Sequence, residues 1–155
     1  MSKVVRLFSL LDAAGYDLAV AESCSGGLLA GEITSVPGSS RVFAGAVVAY
    51  SNKVKTDQLN VDNQLIKEHG AVSQEVARAM SEGICSRFDV SFSISTTGIA
   101  GPGGGSKDKP VGLVYISTCS PQKTEVSKNI FTGNRRLIRE KTVSKALDLA
   151  IEHLS

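Results

Sequence analysis

The sequence predicts an α/β fold, a three-layer α/β/α sandwich around a mixed β-sheet. Helical and strand-like periodicities alternate through the first two-thirds of the chain, as expected of strands covered by helices. A nearly continuous apolar run at residues 41–50 reads as a strand buried on both faces and central in the sheet. Two further strand-like stretches flank Ser120-Pro121-Gln122 and read as a hairpin, which adds antiparallel pairing. The 155 residues, 42% hydrophobic and 21% charged, fit a single domain over 1–155.

The elements follow in order. Val4, Leu7, Phe8 and Leu11 recur at spacings of three and four and stop at Gly15, which predicts an amphipathic helix over 3–14. Residues 16–21 form a short strand. Gly26-Gly27 opens a helix carrying Leu28, Leu29, Ala30 and Ile33, and Val36-Pro37-Gly38 ends it. After the apolar run, residues 53–68 make short helical pieces. Ser73 is an N-cap for a helix with Val76, Met80 and Ile84 on one stripe, leaving Arg78, Ser81 and Glu82 off it. Residues 90–97 alternate as a strand, and the glycine-rich segment 98–105 leads to another strand over 111–118. Residues 124–131 return as its hairpin partner. Asn134 caps a last helix with Val143, Leu147, Ala150, Ile151 and Leu154 on one side.

Composition excludes several function classes. Seventeen Lys and Arg against 15 Asp and Glu leave a scattered net charge of +2, with no basic footprint for nucleic acid. No apolar run is long enough for a membrane span and no secretion signal opens the chain, so the expected location is cytoplasmic. Cys24, Cys85 and Cys119 lie far apart, and His69 and His153 are the only histidines, a poor set for a metal site. The odd cysteine count also argues against a disulfide framework, so each defaults to a reduced thiol packed as a small hydrophobe.

Four segments carry chemistry. Ala21-Glu22-Ser23-Cys24-Ser25-Gly26-Gly27 joins a strand end to a helix start, where free backbone N–H groups favour an anion. Ser23 or Ser25 is then either a simple helix cap or a hydroxyl at an anion site. The segment is not the G-x-S-x-G elbow of α/β hydrolases. Tyr50, Asn52, Lys53 and Lys55 follow the apolar strand. A serine without a histidine needs another base, and a desolvated lysine is one answer. A free lysine titrates near about 10.4, so such a base needs a drop of roughly 3 units, about 4 kcal/mol, and a solvated surface charge is the alternative for either lysine.

Thr96 to Gly105 lets a ligand approach the backbone closely or serves as a flexible connection. It fits neither the P-loop nor G-x-G-x-x-G, since position 106 is serine. Gly133-Asn134-Arg135-Arg136 with Arg139 places guanidinium groups on the first turns of the last helix, which suits a phosphate or simply a soluble surface. Ser120-Pro121-Gln122-Lys123 matches S-x-x-K but reads as a turn. His69 is either a base or a residue that orders a helix start; no carboxylate orienter is identified near it in the sequence.

Taken in order, AESCSGG at 21–27, YSNKVK at 50–55, HGAVS at 69–73, TGIAGPGGG at 97–105, KPVGLVY at 109–115 and GNRRLIR at 133–139 resemble the CinA C-terminal domain family over nearly the whole chain. That family includes nicotinamide-nucleotide amidohydrolases, which convert nicotinamide mononucleotide to nicotinate mononucleotide and ammonia without a metal or organic cofactor. The resemblance implies a Ser/Lys dyad at Ser23 and Lys55. Neutral Lys55 would take the Ser23 proton, Ser23 would attack the carboxamide carbon, and water would hydrolyse the acyl enzyme. Backbone N–H groups over Cys24 to Gly27 would hold the oxyanion. The expected substrate-binding residues are Ser25, Gly26, Gly27, Tyr50, Asn52, Thr97 and Gly98 around the dyad and amide, with Arg135 and Arg139 on the ribose phosphate.

The implied partner is a small nucleotide, and family members commonly form homo-oligomers. This chain has Asn134 where the family often has aspartate, which preserves a cap but loses a carboxylate. Many relatives also carry a large N-terminal domain resembling molybdopterin-binding proteins; this chain starts directly with the C-terminal unit, so a stand-alone form is expected. The alternatives are a non-catalytic nucleotide- or partner-binding module linked to competence and DNA damage, or the same chemistry on another amide.

Overall fold

The computed structural model describes residues 1–155. In chain order the elements are α1 (Lys3–Ala14), β1 (Leu18–Glu22), α2 (Leu28–Thr34), a 3-10 turn (Ser39–Arg41), β2 (Phe43–Val48), α3 (Asn52–Leu59), α4 (Asn63–His69) and α5 (Gln74–Phe88). Then come β3 (Phe92–Gly98), β4 (Leu113–Cys119), β5 (Thr124–Ile130) and α6 (Arg135–Leu154).

Local chemistry sets the ends of these elements. The Ser2 hydroxyl accepts from the Val5 amide at the start of α1, and Gly15 closes that helix in the left-handed region at φ 70°. Ser73 and Asn134 cap α5 and α6 by accepting from the Val76 and Leu137 amides. No helix is long and apolar enough to cross a membrane.

The strand order is β2-β1-β3-β4-β5. β1 runs parallel to both β2 and β3, and β3-β4 and β4-β5 are antiparallel. Helices α1, α2 and α6 close one face around Leu18, Val20, Phe92, Ile94, Val114 and Ile116, within a core of 19 buried apolar residues. Helices α3, α4 and α5 close the other face around Ala19, Ala21 and Ala49, with nine buried apolar residues. The chain leaves β1 through α2 on the first face and returns from β2 to β3 through α3–α5 on the second. The carboxyl ends of β2, β1 and β3 therefore open together at a switch in strand order, where open α/β sheets bind ligands.

Two expectations need correction. The apolar run at 41–50 is not central: β2 is an edge strand, with Ala44 and Val48 exposed. β3 takes the central place, and β1 beside it is interior with all five of its residues buried. An apolar run reports cover above and below a strand, not the number of its neighbours. β2 has such cover from α2 and α5, and at Gly45 the Phe88 ring lies so close that a Cβ would stand 2.7 Å from it.

Ser81 is the second correction, because it lies on the buried side of α5. Its hydroxyl is 2.7 Å from that of Ser117, and its carbonyl accepts from Ser93 at 2.7 Å. Alternate residues of β3 repeat this contact: Ser95 donates to the Ala77 carbonyl at 2.6 Å and Thr97 to the Ala71 carbonyl at 2.8 Å. These hydroxyl rungs bring the α5 backbone within one short side chain of the sheet and leave no buried side-chain polar atom unpaired.

Candidate active site

β1 ends at Glu22, and Ser23 extends the β1–β3 ladder by donating its amide to the Thr96 carbonyl at 3.0 Å. The chain then turns sharply through Gly26 (φ 59°) and Gly27 (φ 99°) into α2. Neither serine caps α2. The buried Glu22 carboxylate does so, accepting from the Leu29 and Ala30 amides at 2.9 and 3.0 Å. It also accepts the Ser25 hydroxyl at 2.6 Å, and Ser25 Oγ stands 2.7 Å from Thr96 Oγ1. Ser25 thus belongs to a polar network beneath the turn, and the Ser23 hydroxyl faces the cleft.

Lys55 reaches the same point from α3. It is 1% exposed, and its Nζ lies 3.0 Å from Ser23 Oγ while donating to the Ala49 carbonyl at 2.8 Å and the Tyr50 carbonyl at 3.3 Å. Burial lowers its pKa from 10.5 to about 8. Burial acts oppositely on the neighbouring Cys24 thiol, pushed up to about 12, so this cysteine stays protonated and inert near neutrality. The N–H groups of Cys24, Ser25 and Gly27 find no acceptor within the protein, leaving three backbone donors on the turn that presents Ser23.

The cleft, about 180 Å³, collects most of the residues singled out from the sequence: Ser23, Tyr50, Asn52, Lys55, Thr97, Gly98 and Arg135 all line it. Arg135 sits at the rim, donating to the Gly101 carbonyl at 2.7 Å and to the Tyr50 hydroxyl at 2.8 Å. Arg139 braces the turn from below, donating to the Cys24 and Ser25 carbonyls, each at 3.2 Å. A Cβ on Gly26 would stand 2.8 Å from its guanidinium. Gly98 is equally tight, with Val114 2.6 Å from the place of a Cβ.

Other residues stay apart. His69 is outside the cleft, 3.8 Å from both Glu68 and Glu75. Lys53 is exposed and paired with Asp57. Ser120 and Lys123 close a backbone turn at 2.9 Å. A larger hollow of about 430 Å³ between α1, α2 and α6 contains Lys3, Glu32 and Glu140 but no nucleophile paired with a base.

Sequence reasoning missed Glu22, Thr96 and the wall formed by Ala71 and Val72. The signal for Glu22 was a carboxylate closing an otherwise apolar strand, since a buried charge needs a dedicated set of donors. No periodicity marks Ala71 and Val72, which reach the site only because α5 is pinned to β3.

Fold and site together define a class: a three-layer α/β domain that pairs a serine hydroxyl with a buried amine at the carboxyl ends of its parallel strands. The CinA C-terminal domain model matches residues 2–154, and the chain belongs to that family. It is 51% identical over 144 residues to a CinA-like protein of Acidobacterium capsulatum, covering 93% of this chain and 35% of the relative. A CinA-like protein of Desulfotalea psychrophila is 49% identical over 140 residues, covering 90% of this chain and 34% of that protein. The chain thus spans about a third of the length of these curated relatives. Among solved structures, the competence/damage inducible protein CihA from Agrobacterium tumefaciens superposes with a TM-score of 0.93 at 38% identity, covering 97% of this chain and 92% of that one. A CinA superfamily protein from Klebsiella pneumoniae gives 0.94 at 30%, covering 98% and 95%.

Proposed function

We propose that this domain is a C–N hydrolase that deamidates nicotinamide mononucleotide to nicotinate mononucleotide and ammonia, with Ser23 as nucleophile and Lys55 as its base. The observation that carries this reading is the 3.0 Å approach of Lys55 Nζ to Ser23 Oγ inside a site where burial holds the amine near neutrality. With a pKa of about 8, roughly a tenth of Lys55 is neutral at pH 7, enough to serve as a general base.

The steps follow from the contacts. Neutral Lys55 takes the Ser23 proton as Oγ bonds to the carboxamide carbon, and the developing oxyanion is held by the free amides of the turn. The Lys55 ammonium returns the proton to the leaving nitrogen, and ammonia departs. Lys55 then deprotonates a water that cleaves the acyl enzyme. The Ala49 and Tyr50 carbonyls keep Nζ aimed at Ser23 through both halves of the reaction. Arg135 at the rim suits the ribose phosphate. Arg139 supports the turn that carries the donors.

The test is ammonia release from nicotinamide mononucleotide by the purified chain, with the product identified by chromatography and Ser23→Ala as the blank. Turnover lost in Ser23→Ala, with kcat/KM rising as pH rises through about 8, is the expected result. Nucleotide binding by calorimetry without ammonia release would leave a binding module instead.

A further inference from the structure

The hydroxyl rungs between α5 and the sheet continue into a pair of thiols. Ser81 meets Ser117 at 2.7 Å. One helical turn beyond Ser81 is Cys85, and two residues along β4 from Ser117, on the same strand face, is Cys119. A turn of helix advances about 6 Å over four residues and two strand residues about 6.6 Å, so the next rung places Cys85 opposite Cys119. The directions agree: the contacts of Ser93, Ser95 and Thr97 with successively earlier residues set α5 antiparallel to β3, hence parallel to β4.

The surroundings distinguish the two sulfurs. The Thr124 hydroxyl lies 3.3 Å from the Sγ of Cys119, and the adjacent Cys85 thiol and that hydroxyl hold Cys119 well below the usual thiol range. Cys85 is driven upward by the same neighbour and by burial, and stays protonated. Cys119 is therefore the more readily ionised of the two, and Cys85 the one that keeps its proton. Cys85 is partly exposed and Cys119 is buried, so only a small oxidant reaches the second sulfur. Cys24, fully protonated in the other core, shares none of these features.

We infer that Cys85 and Cys119 form a peroxide-reactive dithiol that closes to a disulfide between α5 and β4, at the end of the sheet remote from the cleft. The Cys119 thiolate attacks a small hydroperoxide, forming an S–O bond as the O–O bond breaks; hydrogen peroxide leaves as water after taking a proton. The Cys85 thiol then condenses with the sulfenic acid, forming the S–S bond and releasing a second water. Two thiols are oxidised and one peroxide is reduced. Four strand residues, about 13 Å, separate Ser93 beside Cys119 from Thr97 in the cleft, so the inference stands apart from the proposed hydrolase chemistry.

The experiment is a thiol count on the full chain before and after hydrogen peroxide, with alkylation in denaturant and peptide mass mapping. Three alkylated cysteines before treatment and one after, at Cys24, with a linked Cys85–Cys119 peptide, is the expected result. In Cys85→Ser, whose hydroxyl keeps a donor beside Cys119 but cannot close a disulfide, the sulfenic acid on Cys119 persists and is trapped by dimedone, and in Cys119→Ala the Cys85 thiol survives the same dose. Native Cys119 should also alkylate at least about 10-fold faster than Cys24 near pH 7. Three alkylatable thiols after peroxide, a linkage through Cys24, or oxidation that stops on Cys119 in the wild type would each overturn the inference.

Discussion

The two faces of the sheet are held by different chemistry. The face under α1, α2 and α6 is closed by hydrocarbon, with Leu7, Leu11, Phe92 and Ile94 fully buried. The face under α3, α4 and α5 has about half as many buried apolar residues, and there the Ser93 and Ser95 hydroxyls bond to α5 carbonyls and the Thr97 hydroxyl to the Ala71 carbonyl just before that helix. Burial of hydrocarbon is non-directional, whereas a hydroxyl rung works at one register. The first face supplies most of the driving force for folding; the second fixes where α5 sits and, through Ala71 and Val72, where the cleft wall stands. The buried Lys55 also lies on this second side.

Substitutions can sharpen that contrast. The largest effect is expected from Lys55→Met, which keeps the buried stem and removes the amine: ammonia release falls at least about 10³-fold, while the melting temperature at pH 7 stays level or rises because a desolvated ammonium is gone. A parallel loss of both would mean that Lys55 is structural. Next is Ile94→Ala, which opens a cavity in the hydrocarbon face and should cost about 2–5 kcal/mol in a denaturant titration. Ser95→Ala removes one rung on the opposite face and should cost about 1 kcal/mol by the same measurement. Equal losses at 94 and 95 would erase the distinction between the faces.

The smallest effect concerns His153, where the hydrocarbon face turns polar. Its ring lies between the Thr118 and Ser120 hydroxyls at 2.7 and 2.9 Å and edge-on to Phe92. Burial first, and then Lys123, hold its pKa below 6.5, with Glu125 opposing them. As pH falls through 6.5 the unfolded chain takes a proton that the folded chain refuses, so stability declines from there toward the folded value. Urea titrations between pH 7.5 and about 5 should show this decline in the wild type and a flatter profile in His153→Gln.

Much of this was legible in the sequence because it is local. Ser73 and Asn134 announce their helices by side-chain capping, and the stripe from Val4 to Leu11 repeats with the helical period. Ser23 and Lys55 were legible through motifs that resemble a family, and their approach across 32 positions could be argued only from the need for a base. Three things were not legible. The edge position of β2 depends on which strands β1 chooses to pair with, and no residue within 41–50 encodes that choice. Ser81 looks like a surface residue until Ser117 supplies its partner. Glu22 looks like a solvated charge until the turn folds the Leu29 and Ala30 amides onto it.

The turn bearing Ser23 is assembled from distant pieces of chain. Its ladder partner Thr96 comes 73 positions later, and the guanidinium of Arg139 that grips its carbonyls comes 115 and 114 positions after them. Within this domain, synthesis from the amino end makes Ser23 well before the guanidinium that braces its turn. A nascent chain halted between β3 and α6 carries the serine, the lysine and both strands, yet leaves the Cys24 and Ser25 carbonyls without their brace. The geometry of this turn is thus a property of the assembled domain, acquired only once α6 is in place.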